Sequence, residues 1–189
     1  MSEYLAFNND PALAEMVRAQ VAAHTKADEI IQGAYWENGK GCFIGCIAHS
    51  DSALTVRDLT GFPIALTRVA EGIFEGLPND IAKGFPERIV SAPRIGANLD
   101  LVLWKFLHWC VSDTLEKYGT KEVKEGCNKA ISMLSDRANG VVVPDAAADA
   151  ARADDAAAYA AYSAAYAAYA ARAARIEQAD KLIELLKAA

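Results

Sequence analysis

"LDLVLWKFLHWCVSDTLEKYG", residues 99–119, decides the fold class. Val102, Phe106, Trp109 and Cys110 fall on one side of a helix of 3.6-residue period, and Leu103 and Leu107 widen the stripe. A helix apolar over most of its surface belongs in the middle of a core. Asn98 precedes it as a candidate N-cap, and Gly119 follows as a stop.

The flanking sequence repeats the helical signal. Asp10 before Pro11 reads as an N-cap with proline at the first helical position, and Leu13, Val17 and Val21 then recur at helical spacing. A helix is expected over roughly residues 11–32. "GAYWENGKG" breaks it with turn chemistry, and residues 42–49 read as a short helix or a buried turn. Phe62–Phe74 is again helical in period. Residues 82–100, broken by Pro86, Pro93 and Gly96, read as short helical turns joined by loops. "KEVKEGCNKAISMLSDRANG", residues 121–140, supplies a further helix that stops at Asn139 and Gly140. Only "VVVPD", residues 141–145, has extended character. An all-α fold follows.

The expected organisation is a single compact helical domain over residues 1–143 and an alanine-rich helix over 144–189. Alanine is the best helix former, and neither glycine nor proline interrupts the run after Pro144. One continuous helix of about 40 residues would be about 60 Å long. It must then bend around the core or project from it. Tyr159, Tyr162, Tyr166 and Tyr169 share one face, expected to pack on the core, mediate assembly or line a pocket.

Composition limits the function classes. The chain has 189 residues and a formal net charge of −6, with no long basic cluster. A nucleic-acid binder would be expected to carry a basic footprint, so duplex binding is disfavoured, while an acidic surface suits docking onto a basic protein partner. No apolar run approaches the ~20 residues needed to span a bilayer. The expectation is a soluble, cytoplasmic protein with its four cysteines reduced.

"ENGKGCFIGCIAHS", residues 37–50, concentrates the chemically capable side chains. Three readings compete there. Cys42, Cys46 and His49 at i, i+4 and i+7 would share a helix face and could ligate zinc, with His108, Cys110 or Cys127 as a fourth ligand; no second ligand pair exists, so no metal and no cofactor are expected. Cys42 at a helix start, or Cys46, could act as a nucleophile, with His49 or His24 as its base. Against that, "CFIGCIAH" is mostly apolar, and cysteine commonly serves as a small core residue. Finally, Tyr35, Trp36, Asn38, Gly39, Lys40 and Gly41 could form an anion site. Backbone N–H groups and Lys40 would hold a phosphate while the aromatics stack on a ring. The complete G-x4-G-K-[ST] pattern is missing, so this is not a P-loop.

At "YWENGKGCFIGCIAH", "IFEGLPND" and the alanine–tyrosine tail, the chain resembles a set of bacterial and bacteriophage proteins. These carry a W-E-N-G-K-G-C-x2-G-C-x2-H core, a later F-E-G-L-P segment and an alanine-rich C-terminal helix. The resemblance implies no activity, catalytic residue or cofactor. A phage setting would imply an accessory role against host defence.

The leading expectation is a non-catalytic, oligomeric binding protein. It would sequester a phosphate-bearing small ligand or block a host protein. The rivals are a Cys/His-dependent enzyme on an acyl or phosphoryl substrate and a purely structural interaction module.

Overall fold

The computed structural model describes residues 4–141 and 172–189, with the side chains of 172 and 173 excepted. The protein is all-α, with one two-stranded ribbon among the described residues. Its elements are α1 (Pro11–Lys26), β1 (Trp36–Glu37), β2 (Lys40–Gly41), α2 (Phe43–Ala48), α3 (Ala53–Thr60), α4 (Ile64–Gly76), α5 (Asn79–Ala82), α6 (Phe85–Ser91), α7 (Val102–Tyr118), α8 (Lys121–Ala138) and α9 (Arg172–Ala188).

The chain divides into two compact units, and the expected boundary at residue 143 lies outside the described residues. One unit runs to Asp100 and includes Arg175–Ala189; the other begins at Leu101. Most of α9 therefore belongs with the N-terminal helices. Its Ala179, Leu182, Ile183 and Leu186 are buried, Asp180 pairs with Arg88 of α6, and the Arg175 side chain lies against Gly76 at the end of α4. Residues 175–189 thus pack within the N-terminal unit. The tyrosine face at residues 159–169 and most of "VVVPD" lie outside the described residues.

Helix α1 begins as its sequence dictates. The Asp10 carboxylate accepts from the N–H groups of Ala12 (2.8 Å) and Leu13 (3.3 Å), with Pro11 in the first turn. Its buried seam is Ala14, Val17, Val21 and His24, at 3-4-3 spacing. The helix ends at Lys26 rather than near residue 32, because Asp28 takes a left-handed conformation (φ 56°). The apolar pair Ile30–Ile31 prolongs the helical period in sequence, but the backbone there joins the ribbon instead. Gly41 N–H donates to the Glu29 carbonyl (3.0 Å), and Ile31 N–H to the Gly41 carbonyl (2.9 Å).

Around α1 pack α2, α3 and α6, while α2 and α3 both reach α4. Phe7, Phe43, Phe62, Phe74 and Phe85 are fully buried in this unit, each contributing about 1.5–3 kcal/mol by leaving water. The Gln20 amide of α1 donates to the carbonyls of Cys46 (2.8 Å) and Ile47 (2.9 Å), which fastens the end of α2 to α1.

The second unit contains the α7–α8 helix pair, joined through Gly119 and Thr120. Thr120 caps α8 through the Val123 N–H, and Gly140 (φ 79°) follows its end, as expected. Asn98 does not cap α7. Its side-chain oxygen accepts from Asp100 N–H (2.9 Å), shaping the preceding turn, and α7 starts only at Val102.

Candidate functional site

The segment 36–49 is built around close approach. Asn38 (φ 52°) and Gly39 (φ 81°) both lie in the left-handed region between the paired residues Glu37 and Lys40, the turn that best matches strand twist in a two-residue hairpin. Beyond it, a Cβ on Gly41 or Gly45 would collide with the Tyr35 carbonyl. These two glycines let the Tyr35–Trp36 backbone lie directly on the start of α2.

That packing engages several N–H groups at the start of α2. Gly41 N–H donates to Glu29, Cys42 N–H to the carbonyls of Ala34 (2.9 Å) and Tyr35 (3.2 Å), and Ile44 N–H to the Glu71 carboxylate (3.2 Å). Lys40 stands exposed beside the turn. The glycine–lysine loop thus has a structural occupation.

The cysteines are sealed. Cys42 is 1% and Cys46 0% exposed. Burial pushes both thiols up to about 12, helped at Cys42 by its hydrogen bond to Glu71. Cys46 Sγ donates to the Gly41 carbonyl (3.2 Å). Burial thus disfavours the thiolate that a Cys42 or Cys46 nucleophile would need. Cys110 and Cys127, in the second unit, are buried as well.

Burial also raises the pKa of Glu71, which is only 9% exposed. Cys42 Sγ and the carboxylates of Glu71 and Glu75 lie within 4.8 Å of one another, the one metal-capable cluster among the described residues. Their hydrogen bonds already account for the arrangement. Glu71 accepts from Ile44 N–H, Glu75 accepts from Gly33 N–H (3.0 Å), and the thiol remains protonated.

The far end of α2 is different. The helix stops at Ala48, and His49 takes a left-handed C-cap conformation (φ 51°). His49 therefore leaves the helical register that would align it with Cys42 and Cys46, and its ring meets His24 instead. The two Nε2 atoms are 2.9 Å apart, and His24 Nδ1 is 2.7 Å from Glu29 Oε2. The ring centroids are 5.1 Å apart, close to the N···N distance plus two ring radii. The nitrogens thus face each other head-on, as a hydrogen bond requires, rather than converging on a third point.

Trp36 completes the group. Its ring stacks on His49 (centroids 4.3 Å, planes 21° apart) and meets His24 edge-on at 5.2 Å. Burial, then the charge of His24, hold His49 below the ordinary imidazole pKa.

Beside this group opens a cleft of about 570 Å³, lined by Ala34, Tyr35, Trp36, Glu37, His49, Ser50 and Asp51. No family model, curated protein or solved structure matches the chain.

The lining carries two carboxylates and neither lysine nor arginine. The Arg68 guanidinium lies 3.5 Å from the Tyr35 hydroxyl. Of the expected anion-site residues, Tyr35 and Trp36 border the cleft, while Asn38, Gly39, Lys40 and Gly41 do not.

Sequence reasoning named His24 only as a possible base and missed Glu29 and Asp51. One signal was present: His24 continues the Ala14–Val17–Val21 seam, so an imidazole was bound to enter the core. Among the described residues, no helix is long and apolar enough to cross a membrane.

Proposed function

We propose that the protein is a non-catalytic binding protein whose 34–51 cleft takes a cationic group, an arginine or lysine side chain, from a basic protein partner. The carrying observation is the aromatic wall held rigid beside two carboxylates. Trp36 is fixed on its inner side by His49 and His24, and Glu37 and Asp51 flank the opening. An ammonium or guanidinium gains from a tryptophan or tyrosine face and from nearby carboxylates together. The net charge of −6 favours encounter with such a partner.

Phosphate is the poorer fit. Its charge would meet Glu37 and Asp51, and the Gly41 and Cys42 N–H groups are already engaged. This reading keeps the expected role in blocking a host protein and sets the cationic group against sequestration of a phosphate-bearing molecule as its rival.

Titration calorimetry with a short arginine-bearing peptide tests the reading. Binding is expected to weaken as salt rises and to be lost in the Glu37→Gln/Asp51→Asn double variant, whereas the citrulline-substituted peptide and inorganic phosphate give no heat. Phosphate binding that disappears in Lys40→Ala would overturn the proposal and restore the anion site.

A further inference from the structure

The Glu29–His24–His49 chain has a proton capacity that follows from its geometry. Glu29 engages the Nδ1–H of His24, and the head-on Nε2···Nε2 contact has room for one proton. With both imidazoles neutral, one Nε2–H donates to the other Nε2. With one imidazolium the line still holds a single proton, because the extra one sits on an outer nitrogen. With two imidazoliums both inner nitrogens carry N–H, so the hydrogen bond is lost and two positive charges face each other.

We propose that this chain is a proton-operated latch on the cleft: the second protonation separates His49 from His24, removes the stacked support of Trp36, and releases bound cations. The release half rests on the binding reading above; the latch itself does not.

Several elements contribute groups that face the pair. From α1 comes His24, from the loop after it Glu29, and from β1 Trp36 with Glu37 beyond it. The α2 C-terminus gives His49, Ser50 and Asp51, together with Cys46, whose thiol feels Glu29 but remains protonated. Asp28, near the turn, is engaged by Lys83 and feels Lys40. Among the described residues Glu29 is the carboxylate bonded to the pair, at His24 Nδ1, and His49 has no carboxylate partner of that kind. His49 is therefore the seat of the second proton. Its depressed pKa places that event below pH 6.5.

The structural setting suits a switch. His49 is exposed and sits in a left-handed cap at the end of a six-residue helix, so its ring can turn outward without unfolding α1. The Gln20 bonds to Cys46 and Ile47 keep the helix end in place as it does so.

The test is a pH titration of the ligand-free, full-length protein. Imidazole nitrogen shifts and the Trp36 indole resonance are followed together by NMR. The expected result is a Trp36 transition coincident with His49 protonation and displaced below pH 6.5. Glu29→Gln moves that transition to lower pH, since the doubly charged pair loses its counter-charge. His49→Asn, which tolerates the left-handed cap, abolishes it.

Both histidines titrating independently while Trp36 stays unchanged would overturn the latch, as would a Glu29→Gln transition at unaltered or higher pH. A separate arm measures the arginine peptide at pH 7.5 and 5.0, with a tenfold or greater loss expected in the wild type and a smaller one in His49→Asn. Equal losses in the two proteins overturn the release half. An intact Trp36 transition without peptide binding at any pH leaves the latch standing and defeats the binding reading alone.

Discussion

The two ends of α2 carry similar chemistry in sequence and opposite chemistry in space. At its start, the thiol of Cys42 and the carboxylate of Glu71 lie in a sealed core, where burial raises both pKa values and favours the uncharged forms. At its end, His49 lies beside a cleft, with its imidazole tied to His24 and Glu29 and stacked on Trp36. Six helical residues separate a structural device from a candidate binding device. Residue type named both; access to solvent and an arranged proton tell them apart.

The comparison breaks most severely at its shared foundation. Gly45→Ala pushes a methyl group into the Tyr35 carbonyl, where backbone must move. Urea denaturation should show a loss of about 3 kcal/mol or more, or no cooperative transition. A loss within 0.5 kcal/mol would mean that the 35–45 contact is not tight.

Next in size is Glu71. Glu71→Ala leaves the Ile44 N–H and the Cys42 thiol without their acceptor and should cost about 1–3 kcal/mol. Glu71→Gln keeps an oxygen acceptor. Because the folded pKa is raised, the wild-type carboxyl adds stability below its ordinary pKa of 4.5 that is lost as pH rises through the folded value. Gln should therefore remove that stretch of pH dependence and be better tolerated than Ala at pH 7.5. His49 runs the other way. Its lowered pKa means stability present above 6.5 and lost as pH falls through the folded value, so melting curves of His49→Asn should decline less between pH 7 and 5.

Thiol reactivity gives a smaller, kinetic contrast. At pKa values of about 12, Cys42 and Cys46 hold about one thiolate in ten thousand at pH 8, so native protein should alkylate far more slowly than unfolded protein. Lys40→Ala should change stability by no more than about 0.5 kcal/mol, because the residue stands exposed at a turn fixed by Asn38 and Gly39.

Much of this was legible in sequence where local chemistry dominates. Asp10–Pro11 announced α1, Gly140 marked the end of α8, and the apolar setting of "CFIGCIAH" identified Cys42 and Cys46 as core residues. Readings failed where a local pattern had two physical outcomes. Ile30 and Ile31 fit a longer α1 by period, but a left-handed Asp28 sends them to the ribbon. Asn98 offers a cap, yet its side chain closes a turn at Asp100 that ends before α7 begins at Val102. The Asn-Gly pair read as an anion loop serves a hairpin. The histidine pair was out of reach for a different reason: 25 residues separate His24 from His49, and only the packing of α2 on α1 brings them together.

The central claim is the hydrogen bond between those two rings. The direct measurement is the scalar coupling between their Nε2 nuclei at pH 7.5 in protein labelled with 15N-histidine. The account predicts a resolved coupling between His24 and His49, lost in Glu29-intact protein once both rings are charged. Two uncoupled imidazoles, each exchanging its ring proton with water at pH 7.5, would contradict it.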